Sequence, residues 1–230
     1  MSSKDNSTKK TKKRKRNPFR VLFYDFVKFT GAPSVLIWLR PKKLYESKAA
    51  KKRIRKGAIV AANHTGFSDP LALLCALWYR RPHMIALKEM FESKTSMRFF
   101  CAMGCIPVDR QNFNMQTYRA SVDVLSKKKI LCVFPEGAIN QDSSTIQTFK
   151  SGAALMALKG GVPIIPVYIA PRKKWYTRSV TVFGEPIDVK GLCGEKPDLR
   201  AIDRVTEILH EKEMKLMEIY NAWNNKRSSK

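Results

Sequence analysis

From Gly57 to the C-terminus, short apolar runs alternate with longer amphipathic stretches. Segments 59–62, 84–87, 105–108, 130–134, 164–169 and 180–183 have the length and apolar content of strands, whereas 70–79, 94–103, 114–126, 150–159 and 198–222 carry helical spacing. Gly160-Gly161-Val162-Pro163 reads as a helix stop feeding a strand. Alternation of this kind predicts an α/β domain over residues 57–230, with a central, mostly parallel or mixed sheet flanked by helices. No internal repeat is present.

The N-terminal quarter follows a different pattern. Residues 18–39 place large apolar side chains in two stretches separated by Gly31, Ala32 and Pro33, where a helix is expected to break, so two short helices are predicted. Residues 1–17 are polar and basic without apolar periodicity, which predicts a disordered arm. Residues 40–56, with nine Lys or Arg and one Glu, read as a basic linker. The longest uninterrupted apolar run, 71–79, is about half of the roughly 20 residues a spanning helix needs, so no ordinary transmembrane helix is expected. A secretory signal is not expected either, because Arg20, Asp25 and Lys28 interrupt the apolar stretch after the basic start. An apolar two-helix hairpin bracketed by cations fits an amphipathic anchor lying in one membrane face. The competing reading is a helix pair packed on the protein's own core.

Composition narrows the classes further. A chain of 230 residues that is 44% hydrophobic and 27% charged is neither a disulfide-stapled miniprotein nor wholly disordered. Its net charge of +25 implies an anionic partner: nucleic acid, a membrane surface or an acidic carrier protein. Residues 1–56 hold 19 basic and 3 acidic side chains, a net +16, so most of the excess surrounds the apolar hairpin. That placement favours an anionic membrane over a polynucleotide, and no nucleic-acid motif accompanies it. The five cysteines are an odd set in mainly apolar surroundings and read as reduced thiols. Neither Cys101 and Cys105 nor the three histidines have the spacing of a metal site, and none is proposed.

Candidate chemistry gathers where predicted strands end, which is where α/β sheets place their ligands. After the first strand stands Asn63-His64-Thr65-Gly66-Phe67-Ser68-Asp69. A turn through Gly66 could bring the Asp69 carboxylate to one ring nitrogen of His64, leaving the other as a general base. No Gly-x-Ser-x-Gly elbow is present and no cysteine has a basic setting, so a substrate hydroxyl is the simplest nucleophile. Three further strand ends carry Gly104-Cys105-Ile106-Pro107-Val108-Asp109-Arg110, Phe134-Pro135-Glu136-Gly137 and Val162-Pro163-Ile164-Ile165-Pro166-Val167.

In this order, the four segments resemble the four sequence blocks of the glycerolipid acyltransferases, in particular the 1-acyl-sn-glycerol-3-phosphate (lysophosphatidic acid) acyltransferases. The resemblance covers roughly residues 57–185, and the N-terminal hairpin is similar to the family's membrane-binding helix pair. It implies the glycerolipid acyltransferase fold at the cytoplasmic face of the cell membrane. It further implies acyl transfer from an acyl thioester, on acyl-carrier protein or coenzyme A, to the free hydroxyl of a lysophospholipid acceptor, giving phosphatidic acid. His64 and Asp69 would be catalytic; Asn63, Arg110, Glu136, Gly137 and Lys150 would bind substrate; no cofactor or metal is implied. The chain departs from the family's third block. Ile139 stands where an arginine is usual, and Ser151 replaces the second lysine of a later Phe-Lys-Lys-Gly stretch, here Phe149-Lys150-Ser151-Gly152. These departures open two alternatives: a different lysolipid acceptor, or a lipid-binding homologue without turnover.

Overall fold

A computed structural model describes residues 18–109, 115–142, 145–172, 174–194 and 198–229. Seven strands form one sheet: β1 (Lys42–Tyr45), β2 (Ala58–Ala62), β3 (His83–Leu87), β4 (Ile106–Val108), β5 (Ile130–Val133), β6 (Ile164–Ile169) and β7 (Val180–Phe183). Their order across the sheet is β1-β7-β6-β2-β5-β3-β4, with every pair parallel except β6 and β7. The helices are α1 (Pro18–Leu39), α2 (Asp69–Ala76), α3 (Lys94–Ala102), α4 (Met115–Ser126), α5 (Gly152–Gly160), α6 (Val189–Cys193) and α7 (Leu199–Ser228).

Strands β2, β5 and β6 are apolar throughout because both faces of the central sheet are covered. Ile59, Ala61, Leu131 and Val133 pack with α4, α5, α6 and α7 on one side. Ala58, Val60, Ala62, Ile130 and Cys132 pack with Ala72, Leu73 and Ala76 of α2 on the other. The fold class expected from the strand and helix alternation is the one observed.

The N-terminal region corrects two expectations. Residues 40–56 are not merely a linker: Lys42–Tyr45 form edge strand β1, paired parallel to β7. Lysines suit a sheet edge because they discourage further pairing, and so the basic composition concealed a strand. The sheet domain therefore begins before residue 57.

The predicted hairpin is a single helix of 22 residues containing Pro33. Proline removes one backbone hydrogen bond without by itself ending a helix, and both halves of α1 are pinned to the body. Asp25 pairs with Arg81 at 2.5 Å, Phe29 meets Trp78 edge-on at 5.9 Å, and buried Leu39 and the Arg172 guanidinium over Trp38 hold the other end. Arg40, with φ of 43°, then takes the left-handed conformation that closes many helices. Within α1, Val21–Leu39 is also long and apolar enough to cross a bilayer. Unbroken apolar runs, the longest of them 71–79, do not predict a span, because α1 reaches this length with Asp25, Lys28, Gly31 and Pro33 inside it. The arm at 1–17 lies outside the described residues.

Candidate active site

The central neighbours β2 and β5 run in register, with Ala61 opposite Val133, so the loops that follow them leave the sheet side by side. His64 is in the first loop and Glu136 in the second. Asp69 opens α2, and its Oδ2 lies 2.9 Å from His64 Nδ1 while accepting the Thr65 and Gly66 backbone N–H groups at 2.7 and 2.8 Å. Three contacts on one oxygen hold a carboxylate that is only 3% exposed, at a helix N-terminal turn suited to an anion. The tight turn anticipated at Gly66 is thus built by Asp69 itself.

The histidine is fixed from every side but one. Its ring stacks on Phe134 with centroids 4.2 Å apart and planes at 19°. Its backbone N–H donates to Glu136 Oε1 at 2.9 Å, and its carbonyl accepts the Asn140 N–H at 2.7 Å. With Nδ1–H given to Asp69, the tautomer is set and Nε2 is left as the proton acceptor. His64 lines a cavity of about 530 Å³ whose wall is mainly apolar, including Leu74, Trp78, Met84, Phe99 and Met103, and closed along one side by Val27, Gly31 and Val35 of α1.

The remaining sequence candidates take different positions. Gly137 has φ of +75°, and a Cβ built on it would lie 3.0 Å from Lys150 Nζ. Glycine is therefore required twice, for its backbone conformation and for the close passage of the lysine. Lys150 and Ile139 both line the cavity near the histidine. Arg110 lies outside the described residues.

Asn63 and Glu136, expected to bind substrate, are instead turned into the protein, and neither lines the cavity. The Asn63 amide, 2% exposed, donates to the Ile169 carbonyl at 3.0 Å and accepts the Ile169 N–H at 2.7 Å. It thereby continues the sheet one residue beyond the β2–β6 ladder. Asn63→Ala is expected to destabilise the protein by about 2–4 kcal/mol, since two buried backbone groups lose their partners; urea unfolding measures this. Glu136 is 5% exposed, and burial pushes its carboxyl above the ordinary range.

Asn140, 2% exposed, escaped the sequence reading, although a polar residue closing the third block could have signalled it. Besides its backbone bond to His64, its side chain donates to the Thr145 carbonyl and accepts from the Asp142 backbone N–H and the Gln147 amide, tying these residues to the His64 loop. The five cysteines are free thiols, and no cluster of metal-binding side chains occurs among the described residues. His83, a histidine of the β3 edge, is held down to about 4 by burial and by Lys129, with its Nδ1 2.8 Å from the Gly104 carbonyl. It is a packing element away from the His64–Asp69 pair.

The chain is 25% identical over 161 residues to the 1-acyl-sn-glycerol-3-phosphate acyltransferase of Bacillus subtilis, a match covering 68% of this chain and 79% of that one. It is 30% identical over 120 residues to the probable 1-acyl-sn-glycerol-3-phosphate acyltransferase of Mycoplasma pneumoniae, covering 50% of this chain and 45% of that one. The crystal structure of the 1-acyl-sn-glycerophosphate acyltransferase from Thermotoga maritima shares the fold, with a TM-score of 0.61 and 22% identity over 89% of this chain and 83% of that one. Residues 43–170 match the acyltransferase family model, a span that begins at β1 and ends just past β6, and by that match the chain belongs to the acyltransferase family.

Proposed function

We propose that this protein transfers a fatty acyl group from an acyl thioester, carried by acyl-carrier protein or coenzyme A, to the free hydroxyl of 1-acyl-glycerol-3-phosphate, forming phosphatidic acid. The observation that carries this reading is the Asp69-held His64 at the wall of an apolar cavity large enough to take a lipid chain. Nε2 accepts the hydroxyl proton as the oxygen attacks the thioester carbonyl. The tetrahedral intermediate then breaks its carbon–sulfur bond, and the departing thiolate takes the proton back from the imidazolium. Asp69 stabilises that imidazolium without itself changing protonation. The acyl chain lies among the apolar residues of the cavity wall.

Membrane docking supplies the acceptor. Phe19, Leu22, Phe26, Phe29 and Ile37 lie along one outward face of α1, between 63 and 77% exposed, while Tyr24 and Leu39 face the body. Seated with that face in the acyl boundary of the anionic cytoplasmic leaflet, α1 lies in one membrane face. Crossing would tear Asp25 from Arg81 and would strip Lys28 of its bond to the Trp78 carbonyl. Each Lys or Arg near the surface adds about 1 kcal/mol.

The acceptor headgroup turns on Ile139 and Lys150. With isoleucine at 139, Lys150, which passes against Gly137 and lines the cavity with His64, supports a phosphate. The test is a panel of lysolipids with phosphate, phosphoglycerol and phosphocholine headgroups, each with both donors. Lysophosphatidic acid is expected to be preferred, with Lys150→Ala raising its KM about tenfold or more through loss of a charge-assisted hydrogen bond. Preference for another headgroup would transfer the reading to that acceptor, and absence of transfer to every acceptor would overturn it.

A further inference from the structure

The chain between β6 and β7 reads Pro171-Arg172-Lys173-Lys174-Trp175-Tyr176-Thr177-Arg178-Ser179, with four cations and no acid around two large aromatics. Its tip is a turn in which the Thr177 N–H donates to the Lys174 carbonyl at 3.0 Å. Trp175 at that tip is 74% exposed and Tyr176 is 49% exposed; their rings meet edge-on at 5.9 Å, and Lys174 Nζ lies 5.7 Å from the centre of the Tyr176 ring. Aromatic area left in water adds little to folding, so its placement here calls for a partner.

The loop is fastened to the end of α1. The Arg172 guanidinium lies 4.7 Å over the Trp38 ring and donates to the Thr177 carbonyl at 3.0 Å and to the Trp175 carbonyl, while Arg40 donates to the Tyr176 carbonyl. The Ser179 N–H donates to the Leu39 carbonyl at 2.8 Å. These bonds set the loop beside Ile37 and Trp38, where the outward apolar face of α1 ends. Because β6 runs parallel to β2, the loop leaves the same edge of the sheet as the His64 loop. There Phe67 both lines the cavity and is 91% exposed, so it stands at the cavity mouth. The second basic run is elsewhere: β1 runs parallel to β7 and hence opposite to β6, which sends residues 46–57 to the far edge. The end of α1 is accompanied instead by Arg40, Arg172 and Lys174.

We propose that the β6–β7 loop is a second docking element for the anionic membrane, with Trp175 and Tyr176 seated at headgroup depth and Lys174 and Arg178 against lipid phosphates. Trp and Tyr combine an apolar body with a polar tip, which suits that depth, and cations near the surface gain from its negative potential. The same cations would attract an acidic protein; the exposed aromatics, which extend the apolar face of α1, favour lipid. Contact through both α1 and the loop selects the edge of the sheet that meets the bilayer and holds the cavity mouth against it. The inference rests on the membrane docking given under the proposed function.

The test uses the full chain with vesicles of phosphatidylcholine and phosphatidylglycerol, with and without brominated acyl chains. The chain has four tryptophans, so Trp175→Phe isolates the signal of Trp175 while keeping an aromatic anchor. Brominated lipid is expected to quench the parent's fluorescence, with that quenched component lost in Trp175→Phe, and the two proteins are expected to sediment with vesicles alike. The double variant Trp175→Ala, Tyr176→Ala is expected to partition about tenfold or more weaker through loss of buried aromatic area. Its melting temperature and its turnover of a soluble short-chain lysolipid are expected to match the parent's. Equal quenching of the parent and Trp175→Phe, or parent-like partitioning of the double variant, overturns the inference. So does a raised KM for a carrier-borne donor with vesicle binding unchanged, which would assign the loop to an acidic protein. Failure of the docking reading shows differently, as a parent that does not sediment with vesicles at all, and overturns both.

Discussion

Replacing His64 with alanine is expected to lower kcat for acyl transfer by about 10²- to 10⁴-fold, the usual contribution of a positioned general base. The loop should survive the change. Its two anchoring bonds use the His64 backbone N–H and carbonyl, so Glu136 and Asn140 still hold the chain in place. What disappears is the ring, its stack on Phe134 and the proton acceptor. KM for both substrates is therefore expected to change little, because the rest of the cavity wall and Lys150 are untouched. Asp69→Asn should approach the same loss by a different route. Asparagine can present its amide N–H to Nδ1, which favours the tautomer with the proton on Nε2 and spoils the base. Rate assays on protein whose circular dichroism matches the parent check both; near-parent turnover in His64→Ala would refute the catalytic assignment.

The second large effect is expected at the membrane. Changing Phe19, Leu22, Phe26 and Ile37 together to serine should release the protein from anionic vesicles, read by sedimentation. Burial of a side chain of this size is worth about 1.5–3 kcal/mol, so the four supply roughly 6–12 kcal/mol before orientational costs. Even a net 2 kcal/mol is more than tenfold in partitioning. The inward contacts of α1 at Tyr24, Lys28 and Leu39 remain, so folding should be spared. Residual binding should then depend on the basic residues alone and fall steeply with salt. Unchanged sedimentation by the serine variant would show that this face is not the docking surface. Activity on soluble, short-chain lysolipid serves as a control, because that substrate does not need the membrane and the site does not use the outward face.

The two effects separate reaction from delivery. On the proposed function, His64 and Asp69 act on the hydroxyl wherever the acceptor comes from, while α1 both lines the cavity and faces outward. A helix with one side in the protein wall and the other in lipid gives an acceptor chain a short route between them. The same arrangement explains why Gly31 and Ala32 are small: both line the cavity, where larger side chains would occupy the space a lipid chain needs.

How much was legible in the chain depended on whether neighbours in sequence or neighbours in space set each feature. β2, β5 and β6 were readable because strands covered on both faces must be apolar at every position, a local signal. The His64–Asp69 pair was readable because five residues and a glycine turn contain the whole interaction. β1 was not, because an edge strand tolerates the lysines that make it look like a linker. The unbroken α1 was not, because its continuity past Pro33 depends on Arg81, Trp78 and Arg172, which lie 49 or more residues beyond the α1 side chains they meet. Asn63 and Glu136 were picked out by motif, but their direction, into the protein instead of toward substrate, came only with β6 and the His64 loop in place.

By itself the sequence determined the α/β class, the order of the strand-end loops and the pairing of His64 with Asp69, since each rests on periodicity or short spacing. Tertiary structure alone decided which carboxyl meets which backbone group, that Lys150 crosses Gly137, and that Glu213 of α7 is fully buried. The reason is physical: a hydrogen bond or a buried charge is defined by distance and solvent exclusion, and both depend on strands and helices far apart in the chain being brought together.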